Sequence, residues 1–189
     1  MQQEKGKFTK PLHDYFRDEY MQINIHFHLD FLFYIVYNYH NNVKNVRKET
    51  VMAQMNRKQQ REAVFHLLFE SDFRRDETPE QIFSVWCEEN GNPDSDYISG
   101  AFFGVHENLE QIDAMIEKHS NGWKVGRLAR VSRAIIRLCT YEMMFADVPN
   151  AVAINEAIEL SKKYDDDKAR SFINGVLGSI KTELEANAD

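Results

Sequence analysis

The chain has 189 residues with 8 Gly, 4 Pro and 43% hydrophobic residues, the size of one domain plus an appendage and enough for a real core. Two cysteines, Cys87 and Cys139, in no C-x-x-C spacing, argue against a disulfide-built secreted scaffold and fit a reducing cytoplasmic setting. The net charge of −7 argues against a surface coated in basic residues but leaves room for a local patch, and 28% charged residues with few Gly and Pro point to helices.

Composition divides the chain near residue 54. Residues 1–54 hold 10 of the 23 aromatics and four of the seven His, with 7 basic against 6 acidic residues; residues 55–189 carry 16 against 24. The acidity belongs to the second part. The apolar run Ile23 to Tyr37 is interrupted by His26, His28 and Asp30 and falls short of the about 20 residues that a bilayer span needs. It shows neither a helical nor a strand period, and His26-x-His28 lacks a third ligand in sequence, so no metal is expected. Met52 and Met55 offer internal starts. Residues 1–54 therefore read as an N-terminal extension without an assigned structure, lineage-specific or upstream of the natural start.

From Asn56 onward the helix signals are explicit. Asn56-x-x-Gln59 spells a capping box, and Ala63, Val64, Leu67 and Leu68 form an apolar stripe, predicting a helix over 57–71. Thr78-Pro79-Glu80-Gln81 supplies a second cap with proline at the first helical position, for a shorter helix to Glu89. After the breaker Gly91-Asn92-Pro93, the set Ile98, Phe102, Val105, Leu109, Ile112, Met115 and Ile116 keeps helical spacing and predicts one long helix ending near His119. Asn121-Gly122 stops it, and Trp123 reads as a packing anchor between helices. Ser132 reads as the cap of a helix carrying Ile135, Leu138, Cys139, Glu142 and Met143, stopped by Asp147-Val148-Pro149. A helix with Ile154, Ala157 and Ile158 follows. Asp165-Asp166-Asp167 then favours the start of a last helix bearing Phe172, Ile173, Val176, Leu177, Ile180 and Leu184. The expected fold is all-α, six or seven helices over 56–186.

Chemistry is concentrated in a few places. Arg57, Lys58 and Arg61 crowd the start of the first helix, where the macrodipole disfavours cations, whereas Glu80 and Asp165 to Asp167 place acids at two other starts. Cations there suit an external anion, and Phe69 two turns on offers a ring for a base; a solvated basic face explains the same residues equally well. The aspartate triplet, with Glu156 and Glu159 nearby, is better explained by capping than by a metal, and both cysteines read as core residues. No nucleophile constellation or phosphate-cradling glycine loop is present in the sequence, so no cofactor and no catalytic residue is expected.

Three stretches carry a resemblance: Ser132 to Met143 (SRAIIRLCTYEM), Val148 to Tyr164 (VPNAVAINEAIELSKKY) and Phe172 to Leu177 (FINGVL). With the opening Arg57-Lys58-Gln59-Gln60-Arg61-Glu62-Ala63, they resemble the NusB family of transcription antitermination factors in order and spacing, over about residues 55–189. The resemblance implies two packed small helical bundles and a non-enzymatic, cytoplasmic RNA-binding protein without a membrane anchor. It implies pairing with ribosomal protein NusE, binding of single-stranded boxA RNA within the RNA polymerase antitermination complex, and read-through of terminators, notably in ribosomal RNA operons. Homodimerisation of the free protein is left open. The RNA-contacting positions it implies are Arg57, Lys58, Arg61, Phe69, Gln111, Lys168 and Phe172. Asp165 stands where the family often has glycine, and asparagine-like tolerance of a left-handed backbone is expected to preserve the turn. The alternative is a NusB-like RNA-binding adaptor in ribosomal RNA processing or ribosome biogenesis. Rival classes are a metal-dependent enzyme using the aspartates and a regulator tethered to a membrane by residues 23–37.

Overall fold

The two capping boxes written in the sequence form as their chemistry requires. In a computed structural model, which describes residues 55–90 and 95–187, the side chain of Asn56 accepts from the N–H of Gln59 at 3.0 Å. The Gln59 side chain accepts in return from the N–H of Asn56 at 2.9 Å, closing the capping box that starts α1, Arg57–Ser71. Thr78 and Gln81 repeat the device at the head of α2, Pro79–Glu89. Ser95 caps α3, Asp96–Glu107.

The long helix expected through His119 is two helices. Asn108 takes φ −108° and ψ 17°, its side-chain amide donates to the carbonyl of Gly104 at 2.8 Å, and α4, Leu109–His119, restarts beyond it. Apolar spacing runs through this joint because Ile98, Phe102, Val105, Ile112 and Ile116 all still face the core, buried to 1% exposure or less. Asn121 (φ 52°) and Gly122 (φ 84°) then turn the chain through the left-handed region. A short 3₁₀ turn, Val125–Arg127, leads to α5, Arg130–Phe145; α6, Asn150–Tyr164, and α7, Asp167–Ala186, complete the described residues.

Helix α5 is the common wall of two small bundles. It packs on α1 and α3 on one side and on α4, α6 and α7 on the other. Its Ile135, Ile136, Leu138 and Cys139 are almost wholly buried, and each buried Ile or Leu contributes about 1.5–3 kcal/mol relative to exposure. Two arginines one turn apart tie the bundles together. Arg133 donates twice to Asp72 at the end of α1, at 2.7 and 3.0 Å, and Arg137 donates to both carboxylate oxygens of Asp113 on α4, at 2.8 and 2.6 Å.

Several expectations need correction. Ser132 does not cap α5, which starts two residues earlier; its buried hydroxyl donates to Asp165 at 2.6 Å. Asp165 is extended (φ −136°, ψ 169°), so the turn before α7 requires no left-handed residue. Asp166 caps α7 by accepting from the N–H of Ala169 at 2.7 Å, as the dipole argument expects. Trp123 is 56% exposed and anchors nothing, and Cys87 is only half-buried while Cys139 is core. The breaker at residues 91–93 and every reading on residues 1–54, including the extension, the membrane tether and the paired histidines, lie outside the described residues. Among the described residues no helix is long and apolar enough to cross a membrane.

Candidate nucleic-acid interface

The basic start of α1 divides into an outer and an inner part. Arg57 and Lys58, in the first turn, are exposed; Arg61, one turn on, points inward with its side chain 6% exposed. The cause is Glu142 on α5, a carboxylate within an otherwise apolar stripe and only 1% exposed. A charge so buried requires a partner and several donors. Arg61 supplies its Nε–H to both oxygens, at 2.8 and 3.2 Å, and the hydroxyl of Tyr97 on α3 donates to Oε1 at 2.7 Å. Arg61 also lies 3.6 Å from Glu156 on α6. Its charge is thus spent within the protein, and burial together with Glu142 pushes the Tyr97 phenol well above its ordinary range.

The same tyrosine reaches the outer part. The Arg57 guanidinium lies over the Tyr97 ring, 4.3 Å from its centroid, while that of Arg61 is 5.9 Å away. Arg57 and Lys58 form no ion pair among the described residues. Beside them, α1 and α6 enclose a groove of about 300 Å³ lined by Lys58, Glu62, Glu159, Lys162 and Lys163 among others. Glu62 is held there by Lys163 and by the Tyr164 hydroxyl, which lies 3.1 Å from Nε2 of His66. Hydrogen bonding from His66, then from Lys163 and Tyr164, lowers the Glu62 pKa to about 2.

The remaining expected residues are spread over other elements. Phe69 is 8% exposed, its ring packed against Phe65 (6.2 Å between centroids) and edge-on to Phe73 (5.1 Å), so it serves the core of the first bundle. Lys168, in the first turn of α7, is exposed, and Phe172, one turn further, is half-buried. Gln111 is exposed on α4, which packs chiefly against α5 and α7. The aspartate triplet is absorbed structurally: Asp165 accepts from Ser132, Asp166 caps α7 and Asp167 pairs with Arg170. Tyr97 escaped the sequence reading, and Glu156 was named there only beside the aspartates and not as a neighbour of Arg61, although a glutamate inside the α5 stripe was a signal for a buried partner.

A family model described as the NusB family matches residues 58–182. The transcription antitermination protein NusB of Bacillus subtilis is 43% identical over 132 residues, covering 69% of this chain and 98% of that protein. NusB of Clostridium novyi is also 43% identical, over 67% of this chain and 98% of that protein. Among solved structures, T. maritima NusB superposes with a TM-score of 0.63 at 37% identity, over 69% of this chain and 93% of that one. A crystal structure of antitermination factors NusB and NusE in complex with dsRNA superposes at 0.60 with 32% identity, over 67% and 96%. Matched along nearly the whole of these relatives, with the two-bundle helical fold to accompany the motifs, the chain belongs to the NusB family.

Proposed function

We propose that this protein is a transcription antitermination factor that pairs with ribosomal protein NusE, binds boxA RNA in nascent transcripts and promotes read-through of terminators in the cytoplasm. The observation that carries the reading is the family match over residues 58–182, together with relatives at 43% identity that are covered almost end to end. Its role is binding rather than catalysis, and residues 55–189 are its working part, with 1–54 an extension.

Physical features support an RNA site on α1 and α7. Arg57, Lys58 and Lys168 are exposed cations at helix starts, and such starts attract phosphate through their free N–H groups. Phe172, half-buried, offers a ring on which a base can stack. Arg61 and Phe69 act from behind, Arg61 by fixing the Glu142 and Tyr97 pair and Phe69 by packing the first bundle. Gln111 contributes from α4 as a side contact. The acidic balance over residues 55–189 suits a basic ribosomal protein as partner. A transcription template with boxA upstream of a terminator tests the proposal. Adding the full chain with NusE raises read-through; unchanged termination on the boxA template would contradict it.

A further inference from the structure

We infer that Tyr97 is a positioning residue for the RNA site: its ring, locked from behind by Glu142, holds the Arg57 guanidinium ready for a phosphate. This rests on the RNA reading of the α1 start. Arg57 is the first residue of α1, where a cation faces the positive end of the helix dipole, and no carboxylate among the described residues pairs with it. What holds it is the face of Tyr97, 4.3 Å from centroid to guanidinium carbon. A ring attracts a cation through its quadrupole, and a guanidinium over a ring makes contact through its π face. Its N–H donors lie in the plane of the group and stay open at the rim, where a phosphate takes two of them side by side.

The ring can do this because it cannot swing. Its hydroxyl donates to Glu142 at 2.7 Å, and Glu142 is fixed by Arg61 through both oxygens. An unsupported exposed arginine loses rotamer freedom when it grips a phosphate, whereas one already laid on a fixed ring has lost part of it on folding. The chain of contacts Arg61, Glu142, Tyr97, Arg57 thus converts a buried ion pair into the orientation of a surface cation. It also gives a role to the glutamate in the apolar stripe of α5.

The test is a double-mutant cycle on the full chain, read by titration of boxA RNA with NusE present. Tyr97→Leu weakens binding about threefold to tenfold and Arg57→Ala does about the same, whereas Arg57→Ala costs less than about twofold in the Tyr97→Leu background. Tyr97→Phe keeps the ring but removes the hydroxyl that locks it on Glu142, so its loss falls between wild type and Tyr97→Leu, and a Tyr97→Phe protein that binds as wild type would overturn the role of the lock. A loss from Arg57→Ala that is equal in both backgrounds would overturn the inference. The side-chain protons of Arg57 give an RNA-independent reading by NMR: upfield ring-current shifts in wild type, smaller ones in Tyr97→Phe and none in Tyr97→Leu. Missing shifts in the wild type overturn the inference as well. Shifts present in a wild-type protein that does not bind boxA would instead locate the failure in the RNA reading.

Discussion

Replacing Arg61 by alanine removes the charge that compensates Glu142. In the wild type that carboxylate, 1% exposed, receives the Arg61 Nε–H at 2.8 and 3.2 Å and the Tyr97 hydroxyl at 2.7 Å. After Arg61→Ala only the tyrosine remains as a hydrogen-bond partner. Removing one partner of a buried pair costs about 3–5 kcal/mol, because the other charge stays desolvated. Against a total stability of about 5–15 kcal/mol this is a large fraction. At about 4 °C per kcal/mol for a domain of this size, the melting temperature falls by about 12–20 °C. Thermal unfolding of the full chain followed by circular dichroism measures it. The triple change Arg61→Met, Glu142→Leu and Tyr97→Phe removes all three polar partners together and recovers most of the loss, since apolar replacement of a whole buried network is often neutral or stabilising. An Arg61→Ala protein melting within about 3 °C of wild type would refute the argument that Glu142 depends on this arginine.

Other sites give independent checks. A Cβ added at Gly104 would sit 2.4 Å from the Tyr141 ring, so Gly104→Ala displaces that ring and costs about 1–3 kcal/mol by urea unfolding, whereas an unchanged midpoint would show that the ring moves freely. Glu62, with its pKa lowered to about 2 from 4.5, contributes stability that is fully present above pH 4.5 and is lost as pH falls towards 2. Melting temperatures of Glu62→Gln therefore lie below wild type at pH 6 and converge with it near the acid limit; parallel curves would contradict the assignment. Trp123→Ala changes stability by less than about 0.5 kcal/mol, because the indole is exposed, and a larger loss in denaturant titration would restore it as an anchor.

What could be foreseen from sequence follows the range of each signal. The capping boxes at Asn56 and Thr78 are contained in four residues, so helix starts and the all-α fold were legible directly. Ser132 looked like a cap because its true partner, Asp165, lies 33 positions away. The joint at Asn108 was hidden because helical spacing of apolar residues continues across it into the same core. Arg61 read as a surface cation because the carboxylate that draws it inward is 81 residues distant. Trp123 and Phe69 show the converse limit. Whether an aromatic faces solvent or core depends on what the fold places opposite, and here the indole faces outward while the phenyl is covered by Phe65 and Phe73.

The central claim is that an acidic helical body presents a small set of cations to boxA RNA when joined to NusE. Its most direct test is the salt dependence of RNA binding by the full chain, with and without NusE, on boxA, on a scrambled single strand and on an RNA duplex. With Arg57, Lys58 and Lys168 contacting three phosphates, the expected log–log slope is about −2. Binding should be tighter with NusE and should favour boxA over the scrambled strand. Equal affinity for boxA and scrambled RNA in the presence of NusE, with a slope near zero, would contradict the account.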